Sequence, residues 1–212
     1  MSEFKEGQEV KNANKKAILN AWDKIKEMYP GRGFVDVPLG IGNDLVLRFN
    51  SQPRAVSNSL RRSYTDVVDG KGNHVSVRNY EFEKDIQFPD YIFVTGDSRT
   101  QSDYQSLGLG LGLFALTTDV IKYELISHNE DFRGKTVISV EYDRAQAQKG
   151  TSKERAGWTS ANLNMLGYSP FEENGWCKVF QENPNYPLNK EVIGRLQRHS
   201  PPAIDGGGQL TS

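Results

Sequence analysis

The apolar positions of this chain change period along its length, and each change predicts an element. Ile18, Trp22, Ile25 and Met28/Tyr29 recur at three- and four-residue steps, with Lys15, Lys16, Asp23 and Lys26 between them. That spacing predicts an amphipathic helix over Asn14–Tyr29, stopped by Pro30-Gly31, after a polar and loose segment 1–12. Phe34–Val37 and Asp44–Phe49 then read as a hairpin around Gly40-Ile41-Gly42-Asn43. Pro53 is placed to open a short helix through Ala55 and Leu60. Tyr64–Val68 and His74–Tyr80 alternate on either side of Asp69-Gly70-Lys71-Gly72-Asn73, a strong hairpin signal. Alternation puts Ser76, Arg78, Tyr80 and Phe82 on one face and Val75, Val77 and Asn79 on the other.

Tyr91-Ile92-Phe93-Val94 is an apolar strand, and Gly96-Asp97-Ser98 reads as a turn after it. Leu109, Leu113, Leu116, Val120 and Tyr123 then follow helical steps, predicting a helix from Phe114 to about His128. Thr136–Tyr142 is a further strand. A strand, a helix and a strand at this spacing form a βαβ unit, which pairs its two strands in parallel. Thr151-Ser152-Lys153-Glu154 matches a capping box for a helix running toward Leu166 and closed by Gly167. Tyr168–Phe171 and Gly175–Phe180 are the last strands. From Pro184 the chain reads as an extension. Asn189 caps a short helix through Leu196, Pro201-Pro202 ends it, and Gly206-Gly207-Gly208 is flexible. The pattern therefore predicts an α/β chain with a mixed sheet (α+β in its mixture of strand directions), an N-terminal helix and a loose C-terminal tail. It forms a single domain over 1–183, with a partly flexible extension over 184–212.

Composition narrows the function classes. Of 212 residues, 36% are apolar and 25% charged, with a formal net charge of −1, so no global basic field favours nucleic acid. Arg54, Arg61 and Arg62 form the one local basic cluster, too small for a phosphate-backbone footprint. No apolar run approaches the ~20 residues that span a bilayer, and the first residues lack the apolar core of a secretory signal. One cysteine, Cys177, excludes an internal disulfide. His74, His128 and His199 stand far apart, with no metal-ligand spacing. The expectation is an intracellular, cytoplasmic protein without a metal site and without a membrane partner.

The candidate chemistry lies in Gln105-Ser106-Leu107-Gly108-Leu109-Gly110-Leu111-Gly112-Leu113, a glycine-bearing loop between the Tyr91 strand and the long helix. First-turn N–H groups lack internal partners, and glycines let an anion approach them. The dinucleotide fingerprint fails because its third glycine falls on Leu113, and the nucleoside-triphosphate loop fails because no Lys follows. Gln105-Ser106-Leu107-Gly108-Leu109-Gly110 does fit Gln/Arg-x-x-Gly-x-Gly/Ala. On this motif the chain resembles the GNAT superfamily of acetyl-CoA-dependent N-acetyltransferases. The order of elements over 64–180 is similar, as is the helix ending in Leu166-Gly167-Tyr168 before the last strands.

The resemblance implies a GNAT-like acyl-CoA N-acyltransferase fold, with acetyl-CoA as co-substrate and a primary amine of a small molecule or protein as acceptor. It implies that the main chain of Phe93, Val94 and Thr95 pairs with the pantetheine arm. The loop Gln105, Ser106, Leu107, Gly108, Leu109 and Gly110 would hold the pyrophosphate. Asp90, at the start of the strand, is the implied base; by chemistry alone, Glu141 is the second choice, since a carboxylate in a partly dry cleft gains basicity, and Tyr168 and Ser160 are candidates for the acid. The sequence departs from the pattern at Leu163, where the family often carries a tyrosine acid, and in the long stretch Thr95–Tyr104. Both departures favour the alternative of a non-catalytic binding protein on the same scaffold, virion-associated or inhibitory.

Overall fold

A computed structural model describes residues 2–42, 44–54, 58–142, 160–172 and 175–198. Its centre is an eight-stranded sheet of β1 (Val35–Pro38), β2 (Val46–Pro53), β3 (Ser59–Val68), β4 (His74–Lys84), β5 (Tyr91–Thr100), β6 (Thr136–Tyr142), β7 (Ser169–Glu172) and β8 (Gly175–Gln181). The spatial order is β1-β2-β3-β4-β5-β6-β8-β7. Every pairing is antiparallel except β5 with β6. This is a mixed α/β architecture. The parallel pair arises because the connection from β5 to β6 is helical and returns the chain to the end where β5 began.

One face of the sheet carries nearly all the helices. α1 (Ser2–Met28) lies across it and buries Ile18, Ala21, Trp22 and Ile25. Trp22, Tyr29, Phe49 and Tyr123 meet edge to face there, with ring centroids 4.8–6.5 Å apart. α2 (Leu109–Ala115), α3 (Thr117–Ser127) and α4 (Asn129–Phe132) follow β5 on the same face. The helical turns 160–165 (α5) add Leu163, which packs with Phe114 and Tyr168. Among the described residues, α6 (Lys190–Arg198) covers the opposite face over β5, β6, β7 and β8, with Val192 and Leu196 inward.

Several expected boundaries moved. α1 starts at Ser2 rather than Asn14; its first turns have no apolar stripe to announce them but contain no proline to stop them. Pro53 opens no helix; it ends β2, paired with Arg61. Gly96–Ser98 forms no turn. β5 runs on to Thr100, with Ser76–Tyr80 of β4 as partners for Gly96–Thr100. The long helix divides into α2 and α3 at Leu116, preceded by a 3-10 helix over Ser102–Leu107. The capping box at Thr151–Glu154 lies outside the described residues, whereas Gly167 does close α5, at φ 80°. The segment 184–198 is not a loose tail. Tyr91 donates to the Pro187 carbonyl (2.9 Å), Thr136 to that of Tyr186 (2.5 Å), and Asn189 Oδ1 caps α6 by accepting from Glu191 and Val192.

The glycines of the loop explain how α1 docks. Gly108 has φ 73°, and a Cβ built on it would stand 2.9 Å from Lys11 Cγ and 3.1 Å from Lys11 Cα. A Cβ on Gly112 would meet Ile18 Cδ1 at 2.4 Å, and one on Gly110 would meet Thr100 Oγ1 at 2.7 Å. Asn14 Nδ2 donates to the Leu107 carbonyl at 2.9 Å and fixes the register of α1 on the loop. Gly108→Ala should therefore lower stability by roughly 1–3 kcal/mol, the left-handed strain plus displacement of α1. Urea unfolding checks it; a midpoint equal to wild type would show that α1 does not depend on this contact.

Candidate functional site

The parallel ladder of β5 and β6 runs only from Tyr91↔Thr136 to Thr95↔Val140. Beyond it β5 keeps β4 as its neighbour, and Glu141 and Tyr142 of β6 keep β8. The two strands therefore part at their C-terminal ends, which is also the end from which the glycine loop and α2 depart.

Behind the parting, on the helix-covered face, lies a buried polar cluster centred on Arg78. Its side chain is 2% exposed and spans from β4 toward β6, where Nη2 donates to Glu141 Oε1 at 2.5 Å. Nη1 reaches Ser98 Oγ of β5 (3.0 Å), and Nε reaches Thr117 Oγ1 of α3 (2.8 Å) and the Tyr80 hydroxyl. Phe114 stacks on the guanidinium, 4.6 Å from its carbon to the ring centroid. Burial is the largest influence and opposes the Arg78 charge, but Glu141, Tyr80 and Tyr168 together more than offset it, and the pKa lies above its ordinary value. Tyr80 and Tyr168 are both pushed up, chiefly by burial, and stay protonated. Tyr168 shares a 2.9 Å hydrogen bond with Ser139.

The site residues expected from sequence separate into groups. Asp90 sits at the far end of the parallel ladder from the parting, 3.1 Å from Lys135 Nζ, and its carbonyl accepts from Thr136. That position removes it from chemistry at the gap. Glu141 does lie at the parting, held by Arg78, and Tyr168 lies in the same cluster. Phe93, Val94 and Thr95 are already paired to Ile138, Ser139 and Val140, so strand-like pairing with a ligand could begin only from Gly96. In the loop, Gln105 donates to the Thr100 carbonyl (3.3 Å), Ser106 is exposed, Leu107 is half-buried, and Leu109 points into the core. Gly108 and Gly110 serve close packing, against Lys11 and Thr100. Leu163 is a buried packing residue, 1% exposed.

Sequence reasoning missed Arg78, Tyr80, Ser98, Thr117 and Ser139. A signal existed: an arginine between Ser76 and Tyr80 on the strand face that carries Phe82 points to a paired, buried charge. It also missed a second buried cluster at the other end of this face. There Ser51 donates to Glu124 Oε2 (2.8 Å), Arg61 donates to Ser51 (3.1 Å), and Arg61 Nη2 lies 3.3 Å from Asp131. Arg54, Arg61 and Arg62 thus form no common patch. Arg54 pairs with Glu81 at 3.4 Å, Arg62 lies over the Tyr64 ring, and only Arg61 enters the core. His74 Nδ1 lies 3.0 Å from buried Asp66, whose pKa burial raises to about 6.

Among the described residues, no helix is long and apolar enough to cross a membrane, and no group of His, Cys, Asp or Glu is placed to hold a metal ion. No protein-family model matches the sequence, and no curated protein matches it significantly. The class of protein therefore rests on the fold: a mixed, mostly antiparallel sheet whose single parallel pair opens beside a glycine-rich helix start.

Two outcomes are expected. Glu141→Leu should cost about 3–5 kcal/mol, because it leaves Arg78 charged and buried without its partner. The paired change Arg78→Met/Glu141→Leu should cost distinctly less in urea unfolding. Glu124 gives the second. Its pKa is raised from 4.5 to about 7, chiefly by burial, so the folded state keeps a proton that the unfolded state releases. Stability should then fall as pH rises from about 4.5 to about 7 and flatten above. Glu124→Gln should remove that component, measured as the difference between the two unfolding profiles; parallel profiles would show that Glu124 titrates normally.

Proposed function

We propose that this chain is an acetyl-CoA-dependent N-acetyltransferase of GNAT-like fold, acting on a primary amine. The observation that carries the reading is the single parallel strand pair, β5 and β6, which parts after Thr95 and Val140 beside the Gln105–Gly110 turn. An extended thioester arm needs a strand edge to pair with and a gap to enter. The β5 edge from Gly96 to Thr100, facing away from β4, supplies the first, and the parting supplies the second.

Acyl transfer from a thioester to an amine requires positioning and two proton movements. The amine nitrogen attacks the thioester carbon, the C–S bond breaks, the nitrogen loses a proton and the sulfur gains one. Tyr168, held protonated by its burial, is the donor to the departing thiolate in this reading. Glu141, oriented by Arg78 and next along β6 after the last paired residue Val140, takes the role that sequence reasoning gave to Asp90. Ser160 of α5 carries no distinct role here.

A second reading has its own support. Both carboxylates considered as base are held by cations, Asp90 by Lys135 and Glu141 by Arg78. A non-catalytic coenzyme A-binding protein on the same scaffold would look like this. Titration calorimetry with acetyl-CoA and with free coenzyme A is expected to give saturable binding of both; no binding of either would overturn the proposal. Tyr168→Phe should then lower turnover on an accepted amine by roughly 10² or more, with acetyl-CoA affinity nearly unchanged. Combining it with Ser139→Ala removes the stranded hydroxyl and keeps the test independent of folding. Binding without acetylation of any amine would favour the non-catalytic reading.

A further inference from the structure

The face of the sheet opposite α1–α3 carries a cavity of about 720 Å³, floored by β4, β5 and β6 and walled by α6, Arg54 and Asn58. Three carboxylates line this side, Glu81 and Glu83 of β4 and Asp85 just after its end. The outer two are compensated: Glu81 lies 3.4 Å from Arg54, and Asp85 accepts from Arg195 at 2.8 Å. Glu83, between them and half-buried, takes no hydrogen bond or ion pair among the described residues. Burial and the neighbouring Glu81 both raise its pKa; Arg54, Lys84 and Arg195 also line the cavity, the first and last paired with Glu81 and Asp85.

From Glu83 the floor reaches the parting over Phe93, Val140 and Thr95. Glu83 faces Phe93 across the ladder, and Glu81 faces Thr95, the last β5 residue paired with β6. Phe93, Val140 and Leu196 present apolar surface along this path. The rows of Glu83 and Thr95 are two residues apart along the strand, or about 6.5–7 Å. A cation with an apolar stem of that length satisfies both features: its ammonium meets the unpaired carboxylate and its methylenes cover the apolar floor.

We infer that this open-face groove binds an aliphatic α,ω-diamine, one ammonium against Glu83 and the second nitrogen beside Thr95 where β5 and β6 part. The binding does not depend on acyl transfer; only acylation of the second nitrogen rests on the function proposed above.

Titration calorimetry of the full chain with cadaverine tests it. One saturable site is expected, weakened at least tenfold by Glu83→Gln and at least tenfold when pentylamine replaces cadaverine on the wild-type protein. The pentylamine arm needs no variant and so does not depend on how Glu83→Gln folds. Absence of saturable cadaverine binding at millimolar concentration overturns the inference, as does equal affinity of Glu83→Gln. Tighter binding of Nα-acetyl-lysine methylamide than of cadaverine also overturns it, since the groove would then read a lysine side chain on a peptide. A parallel titration with acetyl-CoA separates the two proposals. Acetyl-CoA bound without cadaverine defeats the groove alone, and cadaverine bound without acetyl-CoA defeats the acetyltransferase reading alone.

Discussion

The buried pair of Arg78 and Glu141 crosses the place where the parallel ladder of the sheet ends. Hydrogen bonds between β5 and β6 end at Thr95 and Val140, and immediately behind that point the ion pair joins β4 to β6. Desolvating two charges is expensive and is offset only when geometry and further hydrogen bonds are good. Here Tyr80 and Thr117 share the Nε–H, Ser98 accepts from Nη1 and Phe114 covers the guanidinium face. These partners come from β4, β5, α2 and α3, so the same contact that closes the back of the gap fixes the helices relative to the strands.

The two faces of the sheet divide the work. Large aromatic and aliphatic side chains hold α1, α2 and α3 against one face, and the glycines of the turn let α1 approach closely. The loop that resembles an anion-binding turn is thus also a packing joint, and its glycines have an occupation that needs no ligand. Among the described residues the other face is clad by α6, beside which lies a groove whose floor leads to the gap. A thioester arm and an amine would then meet from two sides of one opening, which is the geometric content of the functional reading.

The buried polar groups outside the gap show how the fold tolerates charge. Glu124 is fully buried, yet Ser51 donates to it and Arg61 lies close, and its carboxyl is held near neutral pH rather than far below it. Asp66 solves the same problem by pairing with His74 at the hairpin rim. Both carboxylates gain their raised pKa from lost solvent, with cations only partly restoring the charge.

The sequence by itself determined the elements whose signals are local. Alternation and turn chemistry set the β3–β4 hairpin, where Asp69 Oδ1 accepts from Lys71 and Asn73. The strand–helix–strand spacing set the parallel pairing of β5 with β6, and Asn189 set the start of α6. Tertiary structure decided what depends on distant partners. β5 continues through Gly96 because β4 offers it a ladder, and α1 extends to Ser2 through turns that lack an apolar stripe. Asp90 and Glu141 look alike as carboxylates on strands, but only the pairing places one at the gap and the other beside Lys135. Arg78 reads locally as one polar position in an alternating strand; it becomes the centre of the site because Glu141, sixty-three residues away, is brought within 2.5 Å of it. Such a contact has no local signature, since its energy comes from the low dielectric that only the assembled core provides.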